Sequence, residues 1–202
     1  MNVAVLASGQ GTNLQALLDQ VHGREGVQIV AVASDKPDAR ALERARRAGV
    51  PVRVFPAASY PGRAERDAAM AEWLVAGGVE LVVLAGYMQL LAGEFLSRFP
   101  WRVINVHPAL LPAFPGLEAV EQAIAYGVKV FGVTVHFVDN GVDSGPVILQ
   151  RAIELPDAVD AEVVLERLHP IEHELLPEAV RLIARGAVRI DPANPRHIVV
   201  ER

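Results

Sequence analysis

Short continuous apolar runs recur along this chain and alternate with stretches in which the apolar residues follow a helical spacing. Continuous runs are typical of strands buried on both faces, and strands that alternate with helices favour a parallel sheet. The predicted helices begin at Leu14, Ala39, Arg63, Leu117 and Asp160. The predicted buried strands are Val3–Ala7, Val27–Ala33, Val50–Phe55, Glu80–Tyr87 and Trp101–Val106.

The C-terminal part of the chain changes character, because its strand pattern alternates between apolar and polar residues. Val130–Val138 places Thr134 and His136 on one face, and His136 is expected to support a site rather than to catalyse. Pro146–Ile153 returns as a strand after an Asp- and Gly-rich loop. A strand, loop and strand of this kind predict an antiparallel pair.

The long helix Asp160–Arg185 contains Pro170 and Pro177, which are expected to kink or break it. The stretches 187–191 and 197–200 predict a terminal hairpin. The whole pattern predicts one α/β domain over residues 1–202. Its fold is expected to be Rossmann-like, with a mostly parallel twisted sheet, an antiparallel part and helices on both faces.

Composition and charge narrow the function classes. With 202 residues, of which 51% are hydrophobic, the chain is long enough for one full-sized core. A net charge of −5 without a basic run argues against nucleic acid or an anionic membrane as a partner. The lack of cysteine excludes disulfides, thiol nucleophiles and Cys-ligated zinc. No signal peptide or membrane-spanning run is recognisable, so a cytoplasmic location is expected.

A glycine-rich turn, SGQGTN (8–13), joins the first predicted strand to a helix. Glycine lets the backbone approach a phosphate, and a helix N-terminus offers free N–H groups. The third glycine of the dinucleotide fingerprint is absent, and Asp35 is a weak counterpart of the acid that binds ribose. The turn therefore predicts a monophosphate site at Gly11, Thr12 and Asn13, not an NAD site. A glycine turn kept for packing alone is the alternative.

Two polar side chains close the apolar run that ends at Pro108. Asn105 and His107 are two residues apart, so on a strand their side chains point to the same face at its carboxyl end, where open α/β sheets bind ligands. An amide and an imidazole there can donate hydrogen bonds to one developing oxyanion. Asp143, in the loop after Val130–Val138, would favour the charged form of His107. The three residues form an acid–base and oxyanion set without a nucleophile.

Two other function classes fit part of this pattern. A non-catalytic nucleotide-binding domain explains the glycine turn, but not the joint placement of Asn105, His107 and Asp143. A zinc-dependent hydrolase would use His107 and His136, but no third ligand with helical spacing is present. Each residue of the set, taken alone, is also explained as an ordinary strand-end, turn or loop residue.

Two longer motifs resemble signature regions of the folate-dependent formyltransferases. They are NVHPALLPAFPG (105–116) and GVTVHFVDNGVDSGPVILQ (132–150). The resemblance covers nearly all of the chain, from SGQGTNLQALL (8–18) to IEHELLP (171–177) and beyond. It implies metal-free transfer of a formyl group from 10-formyltetrahydrofolate to the amine of glycinamide ribonucleotide, in purine biosynthesis. Another formyl-folate transferase or hydrolase is the alternative, but those relatives carry an additional domain for which this chain is too short.

The resemblance also implies roles for single residues. It makes Asn105, His107 and Asp143 catalytic, and it assigns Gly11, Thr12, Asn13 and Glu172 to the nucleotide substrate. The N-terminal part is expected to bind the phosphate, and the C-terminal part the folate. Many relatives carry a basic residue where this chain has Gln89. The resemblance therefore implies a backbone contact at Gln89 and leaves a side-chain contact open. The implied folate contacts are Arg63, Met88, Gln89, Leu90, Leu91 and Asn105.

Overall fold

Parallel strands fill the first half of the chain. The computed structural model describes residues 1–201, and these form two compact units, Met1–Asn105 and the chain from Val106 onward. The boundary falls inside the fifth strand, two residues before its end. The strands are β1 (Asn2–Leu6), β2 (Gln28–Ser34), β3 (Val52–Val54), β4 (Leu81–Leu84) and β5 (Val103–His107).

The strand order of the first unit creates a ligand-binding edge. Its strands are ordered β3-β2-β1-β4-β5, and each neighbouring pair is parallel. The chain builds outward from β1 to β3 and then returns to the other side of β1, so the order reverses between β1 and β4. Such a reversal opens a crevice at the carboxyl ends of the two strands. The connecting helices are α1 (Thr12–Gln20), α2 (Arg40–Arg47), α3 (Arg63–Ala76) and α4 (Gly93–Arg98).

The second unit contains antiparallel pairs. Its elements are α5 (Ala119–Tyr126), β6 (Val130–Phe137), β7 (Val147–Glu154), α6 (Ala161–Ala184), β8 (Val188–Asp191) and β9 (Asn194–Val200). The register of β6 and β7 runs from Val130 opposite Glu154 to His136 opposite Val147. The strands β8 and β9 form the predicted terminal hairpin. Parallel strands with helices in one unit and an antiparallel pair in the other confirm the predicted α/β class with an antiparallel part.

Several element ends differ from the sequence prediction by one to three residues, and one helix was missed. The fifth strand begins at Val103 instead of Trp101, because Trp101 adopts a φ of 55° and belongs to a turn. The helix α4 was not predicted, because its 6 residues are too few to show a helical period. That residues 1–202 form a single domain stays a prediction.

The predicted break in the long helix is wrong, since α6 continues through Pro170 and Pro177 for 24 residues. Asp160 caps its N-terminus by accepting hydrogen bonds from the N–H groups of Glu162 and Val163. A proline inside a helix costs about 3 kcal/mol or more, whereas each fully buried large aliphatic side chain contributes about 1.5–3 kcal/mol. The buried apolar face of α6 therefore outweighs the two prolines; it consists of Val164, Leu168, Ile171, Leu175, Leu176, Ala179, Val180 and Leu182.

Within residues 1–201, none of the helices combines the length and the apolar composition that a membrane crossing requires.

Candidate active site

Asp143 lies between two histidines in the second unit. Its Oδ2 atom is 3.4 Å from Nδ1 of His107, and its Oδ1 atom is 3.5 Å from Nε2 of His136. The two histidines are only 5% and 1% exposed, so both rings meet the carboxylate largely out of water. The structure thus brings His107 and Asp143 together and adds His136 on the other side of the carboxylate.

The loop between β6 and β7 holds Asp143 in an uncommon backbone conformation. Asp143 has a φ of 47°, in the left-handed region that side chains other than glycine seldom adopt. The N–H of Gly116 donates to its Oδ2 atom at 2.8 Å. Asp139 closes the loop, since its Oδ1 atom accepts from the N–H of Gly141 at 3.0 Å and from the hydroxyl of Ser144 at 2.6 Å. Strain of this kind persists where the surroundings over-determine it, which is common at functional sites.

Several neighbours determine the charge of Asp143. Burial acts to raise the pKa of this carboxyl. The hydrogen bond from His136, the N–H of Gly116 and the positive charge of protonated His107 and His136 outweigh burial, so the pKa of Asp143 is below its usual range. The carboxylate is therefore ionised at neutral pH and offers a fixed negative charge to the two rings.

Both ring nitrogens of His107 face oxygen atoms. Nε2 donates to the backbone oxygen of Phe114 at 2.8 Å, and Nδ1 faces the carboxylate of Asp143. A carbonyl and an ionised carboxylate only accept hydrogen bonds, so the doubly protonated ring satisfies both, whereas a neutral ring satisfies one. The N–H at Nε2 is the one that could donate toward a developing negative charge.

Thr134 fixes the backbone that follows β5. Its hydroxyl donates to the carbonyl of Ala109 at 2.7 Å and accepts from the N–H of Leu111 at 3.1 Å. Gln150 donates to the carbonyl of Leu111 at 2.8 Å and to the same hydroxyl at 2.9 Å. Thr134 is fully buried, so these hydrogen bonds fix the segment directly after His107.

In the first unit, the glycine turn is shaped by close packing. Gly11 has a φ of 70°, and a Cβ there would lie 2.7 Å from the Cα of Ala41. Packing thus requires glycine at this position, and the choice between packing alone and a phosphate site stays open. The helix α1 that Gly11 opens has no side-chain cap and no acidic residue in its first turn, so its positive end is compatible with an anion. Thr12 is exposed and Asn13 is buried, and their phosphate contact stays a prediction.

The segment that follows β4, at the point where the strand order reverses, exposes apolar side chains. Met88 and Leu90 are 59% and 56% exposed, although both are large and apolar. The N–H of Met88 donates to the hydroxyl of Ser8 at 2.9 Å, and the N–H of Ser8 donates to the carbonyl of Gly86 at 3.0 Å. The glycine turn after β1 and the segment after β4 are therefore joined at one edge of the sheet, as parallel strand ends predict.

Gln89 turns its side chain inward instead of toward solvent. Its Oε1 atom accepts from Nη1 of Arg66, and its Nε2 atom donates to Oδ2 of Asp35, both at 3.1 Å. Asp35 is only 8% exposed and also accepts from the hydroxyl of Ser8. Asp35 thus serves internal hydrogen bonds with Ser8 and Gln89.

The remaining candidates are described by their position and burial. Arg63 is the exposed first residue of α3, and Leu91 is half-buried. Glu172 is 6% exposed on α6, so it is not an ordinary surface residue of that helix. Asn105 is half-buried near the end of β5. Their ligand contacts stay predictions.

Sequence reasoning missed Arg66 and Asp67. Arg66 is 2% exposed and Asp67 is fully buried. Charged residues in a helix usually face solvent, so nothing in the pattern of α3 marks these two. The only available signal was their adjacency, because neighbouring opposite charges can enter a core as a pair.

A recess of about 210 Å³ adjoins the Asp143 loop within the second unit. Its lining includes Pro112, Val142, Asp143 and Arg196. Ligand pockets usually measure about 300–1,000 Å³, so this recess alone is small for a whole cofactor. Within residues 1–201, no group of three or more histidine, aspartate or glutamate side chains is arranged to hold a metal ion.

Comparison with known proteins gives one consistent family. The family profile described as formyl transferase matches residues 1–180. Phosphoribosylglycinamide formyltransferase of Mycobacterium tuberculosis is 45% identical over 188 residues, which are 93% of this chain and 87% of that protein. The crystal structure of glycinamide ribonucleotide transformylase 1 from Symbiobacterium toebii is 50% identical, with a TM-score of 0.95, and the match covers 100% of this chain and 94% of that one. The trifunctional purine biosynthetic protein adenosine-3 of Drosophila pseudoobscura pseudoobscura is 43% identical over 93% of this chain, but the chain spans only 14% of its length.

Proposed function

This chain belongs to the formyl transferase family, and from that premise we propose that it transfers the formyl group of 10-formyltetrahydrofolate to the amine of glycinamide ribonucleotide, a step of purine biosynthesis. The similarity to a phosphoribosylglycinamide formyltransferase over 87% of that protein supports this acceptor. The observation that carries the proposal is the ionised carboxylate of Asp143 against the ring of His107.

The reaction requires no enzyme nucleophile. The amine nitrogen attacks the formyl carbon, so a C–N bond forms and an electron pair moves onto the formyl oxygen. The tetrahedral oxyanion then collapses, the bond from the formyl carbon to N10 of the folate breaks, and N10 receives the proton that the amine loses. The protein has to stabilise an oxyanion and assist a proton transfer. A chain without cysteine can do both.

His107 is the main donor to the oxyanion in this proposal. In the free protein its Nε2–H donates to the carbonyl of Phe114. The oxyanion replaces that carbonyl as acceptor, because a full negative charge accepts a stronger hydrogen bond than a neutral carbonyl. Asp143 stays on the opposite nitrogen, stabilises the imidazolium and helps to relay the amine proton through water.

Asn105 is the second proposed donor. It lies two residues before His107 on β5, and its amide can donate without any change of charge. Donors that are fixed before the reaction stabilise the transition state without reorganisation. The amide therefore supplements the imidazolium and leaves proton transfer to the histidine and the carboxylate.

The nucleotide phosphate is assigned to the start of α1, at Gly11, Thr12 and Asn13, with Glu172 as a further nucleotide contact. Thr12→Glu places a carboxylate beside the helix N-terminus, where it stabilises the helix but competes with the phosphate. The KM for the ribonucleotide should rise about tenfold or more with the folate KM unchanged. Thr12→Gln, which has a similar size and no charge, is the control. An equal nucleotide KM in both variants contradicts the phosphate assignment.

The folate is assigned to the segment Met88–Leu91, with Arg63 and Asn105 as further contacts. Exposed apolar side chains on a well-fixed loop suit an aromatic ring system, and Met88 and Leu90 are of this kind. Arg63 is exposed and carries a charge that complements a folate carboxylate. Gln89 contributes its backbone, because its amide is already engaged.

We further propose that residues 1–202 act as one domain in the cytoplasm, on small molecules alone, and that the reaction needs neither a metal nor nucleic acid. The net charge of −5 supports the exclusion of nucleic acid. A chelator should therefore leave the rate unchanged. A rate that depends on zinc would support the hydrolase alternative instead.

The decisive experiment mixes the purified chain with 10-formyltetrahydrofolate and glycinamide ribonucleotide. Tetrahydrofolate and the formylated nucleotide should appear in equal amounts. Folate release without the nucleotide would indicate a hydrolase, and transfer to methionyl-tRNA would indicate a different transferase. Nucleotide binding without any formyl transfer would support the non-catalytic alternative.

A further inference from the structure

A buried guanidinium lies beneath the segment that follows β4. Arg66, on α3, is the largest of the fully buried side chains, at 2% exposure. Its Nε and Nη2 atoms lie 2.8 and 2.7 Å from Oδ1 of Asp67. Its Nη1 atom donates to the amide oxygen of Gln89 at 3.1 Å. A buried charge requires such partners, and the one that reaches this segment is Gln89.

Carboxylates hold both ends of the same segment. At one end the N–H of Met88 donates to the hydroxyl of Ser8, which donates to Oδ1 of Asp35 at 2.5 Å. At the other end the N–H of Ala92 donates to Oδ2 of Asp67 at 2.7 Å. Residues 88–92 are therefore fixed at their two ends and, through the side chain of Gln89, at a third point next to Met88.

The amide of Gln89 can satisfy its two neighbours in only one orientation. Its oxygen faces the donor on Arg66, and its nitrogen faces the acceptor on Asp35. Rotating the amide by half a turn would oppose donor to donor and acceptor to acceptor. Arg66 and Asp35 together therefore select one orientation of the Gln89 amide, and the two hydrogen bonds tie the segment to both residues.

The fixed segment presents Met88 and Leu90 to solvent. We propose that Arg66 and Asp35 are positioning residues for folate, which act through the amide of Gln89 and do not touch the ligand. This inference rests on the proposed function, because it assigns the segment to folate. A prepositioned loop binds its ligand without ordering cost, so loss of the orientation should weaken folate binding and leave the nucleotide unaffected.

The test reverses the polarity of one hydrogen bond. Asp35→Asn turns an amide nitrogen toward Gln89, so two donors face each other. Gln89→Glu brings a second carboxylate against Asp35. The double variant Asp35→Asn with Gln89→Glu restores both hydrogen bonds and the net charge, since the new carboxylate accepts from Arg66 and from the new amide. Glu43→Gln, at an exposed pair with Arg47, is the matched carboxylate-to-amide control.

The readouts are the binding of 5-formyltetrahydrofolate, which is not a donor in the reaction, the two KM values and the melting temperature. Each single variant should weaken folate binding about tenfold with an unchanged nucleotide KM. The folate affinity of the double variant should return to within about threefold of the wild-type value. The Glu43→Gln control should bind folate as the wild type does. An unchanged folate affinity in both single variants overturns the inference, as does a parallel rise of both KM values. A double variant as weak as the single variants also overturns it.

The same experiment separates the two proposals. If the wild-type chain binds folate and transfers formyl groups while the variants bind folate normally, only the positioning role is wrong. If the wild-type chain neither binds folate nor transfers formyl groups, the proposed function fails, and the positioning role fails with it.

Discussion

The two polar clusters of this protein differ in how tightly their atoms are held. In the first unit, the hydrogen bonds among Ser8, Asp35, Gln89 and Arg66 measure 2.5 to 3.1 Å, and each has one possible polarity. In the second unit, Asp143 stands 3.4 and 3.5 Å from its two imidazoles. Arginine and amide groups do not titrate near neutral pH, whereas imidazoles do. The first cluster therefore suits holding one conformation, and the second contains the side chains that the proposed proton transfer requires.

Because the clusters differ in this way, we expect variants of one cluster to affect catalysis and variants of the other to affect binding. Substitutions that remove the charge of Asp143 in the second cluster should change kcat, because that charge is proposed to act in the transition state. Substitutions of Ser8, Asp35, Gln89 or Arg66 in the first cluster should change binding or stability. A variant that fails to follow this division would contradict the proposed roles of both clusters.

Asp143→Asn should have the largest effect. The substitution keeps the size of the side chain but removes the charge that stabilises the imidazolium of His107. We expect kcat to fall about 10²–10⁴-fold, the range for general acid–base groups, with little change in either KM. Steady-state kinetics measures this, and Asp157→Asn, at an exposed loop residue, is the control. A kcat within about threefold of the wild type would exclude Asp143 from the reaction.

Asn105→Ala should have the second largest effect, about a hundredfold in kcat, which is typical for loss of one oxyanion donor. The side chain is half-buried and the substitution is small, so the fold should persist. Circular dichroism and the melting temperature check the fold. Near-normal kcat would mean that Asn105 is only a strand-end residue.

The sequence marked the catalytic candidates of the second unit, but it did not mark the buried hydrogen-bond cluster of the first unit. His107 and Asp143 were found because a strand-end pattern and a family motif marked them, and the family itself is confirmed. Arg66, Asp67 and the inward turn of Gln89 were not predicted. A helical period distinguishes apolar from polar positions, and it places a charged pair on the surface unless tertiary contacts are known.

The helix α6 gives the complementary case. Its prolines predicted a break, but local propensity is weaker than the burial of a long apolar face. Local rules thus failed where many tertiary contacts act together. They succeeded at Gly11, where the backbone φ and the approach of Ala41 both require glycine.

The stability of the protein at acid pH should depend on the ionisation of Asp143. The folded pKa of Asp143 is below its unfolded value, so its ionisation stabilises the fold fully above the unfolded pKa of about 3.9, and this contribution is lost as the pH falls through the folded pKa. Urea unfolding at pH 7, 5 and 3 measures it. The free-energy difference between wild type and Asp143→Asn should be smaller at pH 3 than at pH 5. A difference that does not depend on pH would mean that the folded carboxyl is not stabilised in its charged form.

Arg196 should have the smallest effect, and it tests whether the terminal hairpin supports the Asp143 loop. Its Nη2 atom donates to the carbonyl of Ser144 at 2.9 Å, directly after Asp143. The arginine is exposed, and one hydrogen bond to a carbonyl contributes about 0.5–1.5 kcal/mol net. Arg196→Ala should therefore lower kcat only about twofold to tenfold. Arg189→Ala, in the same hairpin but paired with Glu201, is the control for hairpin stability. If both variants lower kcat equally, the hairpin acts through its stability alone. If only Arg196→Ala lowers kcat, the loop that carries Asp143 depends on this one hydrogen bond. The second unit would then contain a contact that holds a conformation beside the Asp143 cluster.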